Sequence, residues 1–166
     1  NLDKKVYHSE MSHISRNRAI AYLLESKGYI EKNKDVENSL HFYVKMCSLS
    51  VTAESLAGLG LILANDGIHP DTGKRLLSSQ AVKIVKTLMF TCGMYDGSGE
   101  FAVRVGIPSK SGVGGGILSV VDGEMGIGIF GPALDKKGNS VAGECVLEYM
   151  SHELHLHMFD PQRHTL

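Results

Sequence analysis

The stretch "PSKSGVGGGILSVV", residues 108–121, sets Lys110 and Ser111 directly before glycines at 112 and 114 to 116. Several chemistries use such a pattern. A dinucleotide fingerprint needs G-x-G-x-x-G between a strand and a helix, but after Gly112 and Gly114 the third glycine position holds Ile117, and the next residues read as a strand. A Walker loop needs a glycine immediately before its lysine, and Ser109 precedes Lys110. A flexible spacer would not run straight into "ILSVV". Glycine within a strand more often marks a place where a ligand, a helix or another backbone comes close. Tyr95, in "GMYDGSG", is a second candidate. Glycines at 93, 97 and 99 deprive it of packing partners, so core burial explains it poorly.

Other groups that could do chemistry read more plainly. His152, His155 and His157 in "SHELHLH" miss the H-E-x-x-H zinc pattern because His155 comes one residue early, so they read as a polar helix end and no metal is expected. Tyr43, in "FYVKMCS", reads as a packed tyrosine with a satisfied hydroxyl, on a buried stripe of Leu40, Met46 and Cys47. Glu10 reads as a surface carboxylate, and Asn17 as a polar residue in a first helical turn. Cys47, Cys92 and Cys145 are odd in number and far apart, which suits reduced thiols in a cytosolic protein, packed as small hydrophobes. The formal charge is −1, with Lys and Arg scattered, so no basic stripe exists to neutralise a nucleic-acid backbone. No run of about eighteen apolar residues argues for a membrane span.

These residues need elements to position them. At 166 residues and 43% apolar composition, one globular domain over 1–166 is expected. Ser15 would cap a helix carrying Ala19, Ile20, Leu23 and Leu24 and stopping at Gly28. A second helix should cover "VENSLHFYVKMCSL". A third starts near Thr52 and stops at 65–67, and a fourth follows Ser78. Beyond Gly93, the stretch through 111–121 and "GIGIF" should pair as antiparallel strands through Asp122 and Gly123, and 139–155 should form a closing helix. The class is α+β, and the hairpin requires further strands because two alone are marginal in water.

Together "RNRAIAYL", "CSLSVTAESLA", "GMYDGSG" and "KSGVGGGI", in this order and spacing, resemble the serine-dependent glutaminases. The resemblance covers Val6 to about Leu154 and implies the β-lactamase/transpeptidase-like fold, in which a K-T-G or K-S-G triplet lies on a strand edging the active site. Ile14 and Ser15 stand where that family usually has Gly-Asp, and Ser109 where it usually has Ala. The family's nucleophile lies in a Ser-x-x-Lys motif, and no lysine of this chain has serine three residues before it. The chain therefore resembles the C-terminal half of a glutaminase catalytic domain and is expected to be inactive alone.

The resemblance implies hydrolysis of L-glutamine to L-glutamate and ammonia through a serine acyl-enzyme, in a cytoplasmic homo-oligomer with no cofactor. It places Glu10 against the substrate ammonium and Asn17 against its carboxylate, and puts Tyr43 in substrate contact and, with Tyr95, among the catalytic residues. Tyr95 would stand beside the nucleophile as a proton relay, and the Val113 N–H would serve as an oxyanion donor. Lys110 ranks below these five. On this reading the glycine stretch is a pocket wall. A penicillin-recognising enzyme of the same fold and a noncatalytic interaction module are the competing readings.

Overall fold

The computed structural model describes residues 1–31 and 35–163, in two compact units that divide after Val51.

Residues 1–51 hold three helices: α1 (Lys4–Ser12), α2 (Ser15–Ser26) and α3 (Val36–Cys47). Helix α1 has no fully buried residue, only half-buried Tyr7 and Met11, and went unseen in the sequence, but Asp3 caps it, accepting from the Lys5 and Val6 N–H groups at 2.9 and 3.1 Å. The helical path breaks at His13–Ile14, between α1 and α2. Ser15 does not cap α2. Ile14 takes that position; its hydrocarbon side chain has no acceptor for a cap bond and packs with Val36, Leu40 and Val44. Gly28, at φ +77°, follows the end of α2 as expected. The buried stripe of α3 is Val36, Leu40 and Val44, spaced by four; Met46 and Cys47 of the expected stripe are exposed. The apolar face expected of α2 is exposed too, at Ile20, Leu23 and Leu24.

Residues 52–163 carry helices α4 (Ala53–Ala64), α5 (Ser79–Cys92), α6 (Ser98–Arg104) and α7 (Val141–Glu153), with a single 3-10 turn at Tyr95–Gly97. Strands β1 (Ser109–Ser111), β2 (Gly116–Val121) and β3 (Met125–Phe130) form an antiparallel sheet in that order, so β1 is the further strand the hairpin required. Thr52 and Ser78 cap α4 and α5 as expected, their hydroxyls accepting from the Ser55 and Ala81 N–H groups. Val121 pairs with Met125 across a loop through Asp122 and Gly123, the latter at φ +74°.

Alternate residues of β2 enter two apolar clusters, which makes it a strand buried on both faces. Ile117 and Val121 join Phe101, Ile107 and Leu147, while Leu118 and Val120 join Leu63, Val82 and Met89. Ser109 and Ser119 face each other with hydroxyls 2.7 Å apart, so the buried Ser109 hydroxyl is satisfied rather than stranded. Helix α4 lies directly on β3. A Cβ on Gly128 would fall 1.9 Å from the Ala53 carbonyl oxygen, so no side chain fits there.

Three further expectations are corrected. Residues 112–115 are a turn between β1 and β2, not strand: the Gly112 N–H donates to Gly116 and the Gly115 N–H to Gly112, both at 2.9 Å. Helix α7 is shorter than 139–155 because Ser140 caps it, accepting from the Gly143 N–H at 3.1 Å, and Asn139 belongs to the preceding loop. All three cysteines are exposed instead of packed. The buried faces of α5 and α7 are Val82 and Met89, and Gly143, Leu147 and Ser151, and the thiols lie off them.

Candidate active site

Tyr95 is built from the end of α5. Gly93 stops the helix, and its carbonyl accepts from the Ser111 N–H at 3.0 Å, which ties this corner to β1. Met94 then plunges into the core at 1% exposure while Tyr95 stays 40% exposed. Tyr95 adopts φ +51°, a left-handed conformation that costs a non-glycine residue about 1–2 kcal/mol. Such strain persists only where the surroundings over-determine it. Here Ser98 contributes, its hydroxyl donating to the Tyr95 carbonyl at 2.8 Å and accepting from the Met94 N–H at 3.0 Å.

Lys110 lies on the exposed face of β1 between buried Ser109 and Ser111. Its ammonium stands 4.6 Å from the Tyr95 ring centroid, a cation–π arrangement, and also donates to the Ser111 carbonyl. Val113 sits on the β1–β2 turn with an exposed side chain. Among the described residues no acceptor takes the Val113 N–H, whereas those of Gly112 and Gly115 close the turn. The close approach expected of the glycines occurs at Gly115, at φ +91°, where a Cβ would meet the Gly131 carbonyl oxygen at 2.6 Å.

The loop before α7 brings Tyr95 and Val113 together. Gly138 has φ +97°, and a Cβ there would stand 3.5 Å from Val113 Cγ1 and 3.6 Å from Tyr95 Cε2. Asp135 organises this loop, accepting from the Lys137 and Asn139 N–H groups at 2.9 and 2.8 Å. These backbone bonds, that of Asn139 first, hold the Asp135 carboxyl below the ordinary aspartate range. Lys137 reaches Glu100 of α6 at 2.9 Å, which lowers Glu100 in turn. None of Asp135, Gly138 and Asn139 was singled out from the sequence. The turn-forming cluster "DKKGNS" was the available signal.

The other three candidates belong to residues 1–51. Glu10 is exposed in the last turn of α1, and Asn17 is half-buried in the first turn of α2. Beside Asn17, Arg18 forks onto Glu37 at 2.9 and 3.0 Å, bracing α2 against α3 and holding Glu37 below the usual carboxylate range. Tyr43, on α3, is 52% exposed and not the packed tyrosine its stripe suggested.

A cavity of about 370 Å³ among residues 66–163 contains none of these groups. Apolar Val82, Phe90 and Leu156 line it beside Lys83, and most of its other charged groups are paired within the protein, Asp66 with Arg75, Lys86 with Asp122 and Arg163 with Glu124. It lacks the convergent unsatisfied polar groups of a reaction centre. His152 pairs with Glu153, and His155 and His157 lie beyond the end of α7. Among the described residues no cluster of His, Cys, Asp or Glu could hold a metal ion.

The glutaminase family profile matches residues 1–159. The chain is 56% identical over 158 residues to a glutaminase of Clostridium tetani and equally to one of Fusobacterium nucleatum, covering 95% of this chain and 51% of each relative. Among solved structures it matches the Bacillus subtilis glutaminase YbgJ, in covalent complex with 5-oxo-L-norleucine formed by reaction with 6-diazo-5-oxo-L-norleucine. There the TM-score is 0.90 at 42% identity, over 96% of this chain and 56% of that one. A second, Mglu in its glutamate form, matches with a TM-score of 0.89 at 41% identity, over 96% and 36%. The chain thus spans about half the length of the curated relatives it matches. Its architecture is the β-lactamase-like fold of these neighbours.

Proposed function

Because the chain belongs to the glutaminase family, we propose that it forms the C-terminal half of a catalytic domain that hydrolyses L-glutamine to L-glutamate and ammonia. The observation that carries this reading is Tyr95. It is held left-handed and half-exposed, with the Lys110 ammonium over its ring and the Val113 turn against the same glycine. A tyrosine strained in that way serves chemistry better than packing.

In the proposed reaction the nucleophilic serine comes from a Ser-x-x-Lys segment that this sequence does not contain. Its oxygen attacks the side-chain amide carbon of glutamine, and the carbonyl oxygen becomes an oxyanion that the Val113 N–H stabilises. One such donor contributes about 3 kcal/mol. Tyr95 relays the serine proton to the leaving nitrogen, so that ammonia departs and a γ-glutamyl ester remains. Water then cleaves the ester, releasing glutamate and restoring the serine. Glu10 would take the substrate ammonium and Asn17 its carboxylate, with Tyr43 beside them. The same reading makes the protein a cytoplasmic homo-oligomer that needs no cofactor. The solved relatives support the substrate class, one carrying a covalent 5-oxo-L-norleucine and the other glutamate.

Ammonia release from L-glutamine by a full-length protein carrying this chain tests the proposal, together with covalent trapping by 6-diazo-5-oxo-L-norleucine. Turnover blocked by trapping is expected. A folded full-length protein with its Ser-x-x-Lys intact that neither releases ammonia nor is trapped would overturn it.

A further inference from the structure

We propose that Asn139 is a positioning residue that holds Tyr95 in its left-handed conformation; its importance for turnover rests on the proton-relay role proposed for Tyr95. The side-chain amide of Asn139 donates from Nδ2 to the Met94 carbonyl oxygen at 3.2 Å. That carbonyl belongs to the peptide plane joining Met94 to Tyr95, and rotation of this plane about the Tyr95 N–Cα bond is the φ angle of Tyr95. Returning φ from +51° to the ordinary negative range swings the carbonyl away from Asn139 and breaks the bond. The Gly97 N–H also donates to this oxygen, at 3.0 Å, but it belongs to the same turn and moves with it. Asn139 grips the plane from outside.

The grip is firm because Asn139 is itself fixed. It is fully buried. Its N–H donates to the Asp135 carboxylate and its carbonyl accepts from the Asp135 N–H, each at 2.8 Å. On its two sides, Gly138 lies under the Tyr95 ring and Ser140 caps α7. Gly97 packs so closely that a Cβ there would stand 3.4 Å from Asn139 Nδ2.

Stability alone is a poor reason for this amide. Its Oδ1 is buried with no partner among the described residues, a situation that costs about 1–3 kcal/mol. A residue retained with half of its amide unsatisfied acts through the half that is bonded, on Met94 and thus on Tyr95.

Two isosteric substitutions separate positioning from support. Asn139→Asp keeps the shape and removes the N–H donor; Asn139→Leu removes both polar atoms. Leu147→Ala, on the buried face of α7, serves as a control for plain destabilisation. In the 166-residue chain, the Tyr95 amide–Hα coupling, its Cα shift and the contact between its ring and the Gly138 α-protons report the left-handed state by NMR. Both Asn139 variants are expected to lose these signatures while folded, and Leu147→Ala to keep them in its folded fraction. In the full-length enzyme, kcat should fall roughly tenfold or more, the scale of a misplaced catalytic group, with KM little changed.

Retention of the left-handed signature in folded Asn139→Asp would overturn the proposal. If the wild-type enzyme releases no ammonia, the assigned function fails, and the NMR comparison still decides the role of Asn139. If neither Asn139 variant folds, Asp135→Ala on the half-exposed loop loosens Asn139 by removing its N–H acceptor. An unchanged Tyr95 signature in that variant overturns the proposal as well.

Discussion

Tyr95 concentrates the question of function in one side chain, since its backbone strain and its exposure both run against packing. If it relays the proton between serine and leaving nitrogen, Tyr95→Phe should lower kcat in the full-length enzyme by about 10²–10⁴-fold and leave the fold intact, as a coupled ammonia assay and circular dichroism would read. Tyr95→Gly makes a sharper distinction. Glycine accepts φ +51° without the side-chain penalty, while the lost contact with Lys110 is worth about 0.5–1 kcal/mol. The two effects roughly offset, so urea unfolding should place this variant within about 1 kcal/mol of the parent although its turnover is lost. Glu10→Ala belongs to the same scale with the opposite signature. The proposed partner of Glu10 is the substrate ammonium, which carries the same charge in ground and transition states, so KM should rise with kcat nearly unchanged. A Glu10→Ala variant with unaltered KM would remove Glu10 from substrate capture.

At the scale of elements, the sequence was readable where signals are local and overlapping. Thr52 and Ser78 combine a capping side chain with an apolar period, and the "VDGEMG" hairpin combines β-rich flanks with a glycine at positive φ. Legibility failed where a tertiary contact decides. Helix α1 has no buried stripe to betray it, and α6, seven residues long, starts within a glycine-rich stretch. Ile14 displaced the expected Ser15 cap because burial outweighed a cap bond, and the three-residue β1 exists only by pairing with β2. At the site, Tyr95, Lys110 and Val113 could be named from motifs, whereas the Asp135–Asn139 loop that meets Tyr95 and Val113 offered only a turn-forming cluster whose contacts arise on folding. That loop predicts an acid response. Asp135 has its pKa lowered by folding, so its stabilisation is complete above the unfolded value of about 3.9 and is lost as pH falls below it. The protection of the Asn139 amide relative to its intrinsic exchange rate should therefore fall below about pH 4 in the parent, and Asp135→Asn should remove that step. Packing of α4 on β3 predicts a larger effect without any titration: Gly128→Ala must displace the helix, at about 1–3 kcal/mol or more, seen as a lower urea midpoint.

For the whole molecule, the matched relatives are about twice as long as this chain, so the question is what this part of the proposed catalytic domain can do alone. The part here holds the residues proposed as oxyanion donor, Val113, as proton relay, Tyr95 beside Lys110, and as substrate ligands, Glu10, Asn17 and Tyr43. No lysine in it has a serine three residues earlier. Oxyanion donors and a tyrosine stabilise a transition state only when a nucleophile attacks, and the buried Ser98 hydroxyl beside Tyr95 is engaged by the Tyr95 carbonyl and the Met94 N–H. The isolated 166-residue chain should accordingly release no ammonia from L-glutamine above the buffer rate, and 6-diazo-5-oxo-L-norleucine should leave its mass unchanged. Supplying the Ser-x-x-Lys segment in one polypeptide should restore both activities, and replacing the serine of that segment by alanine should abolish them again. Ammonia release by the isolated chain, surviving purification and heat-inactivation controls, would mean that a group within these residues performs the attack. The serine acyl-enzyme assignment would then fall, even though membership of the family stands.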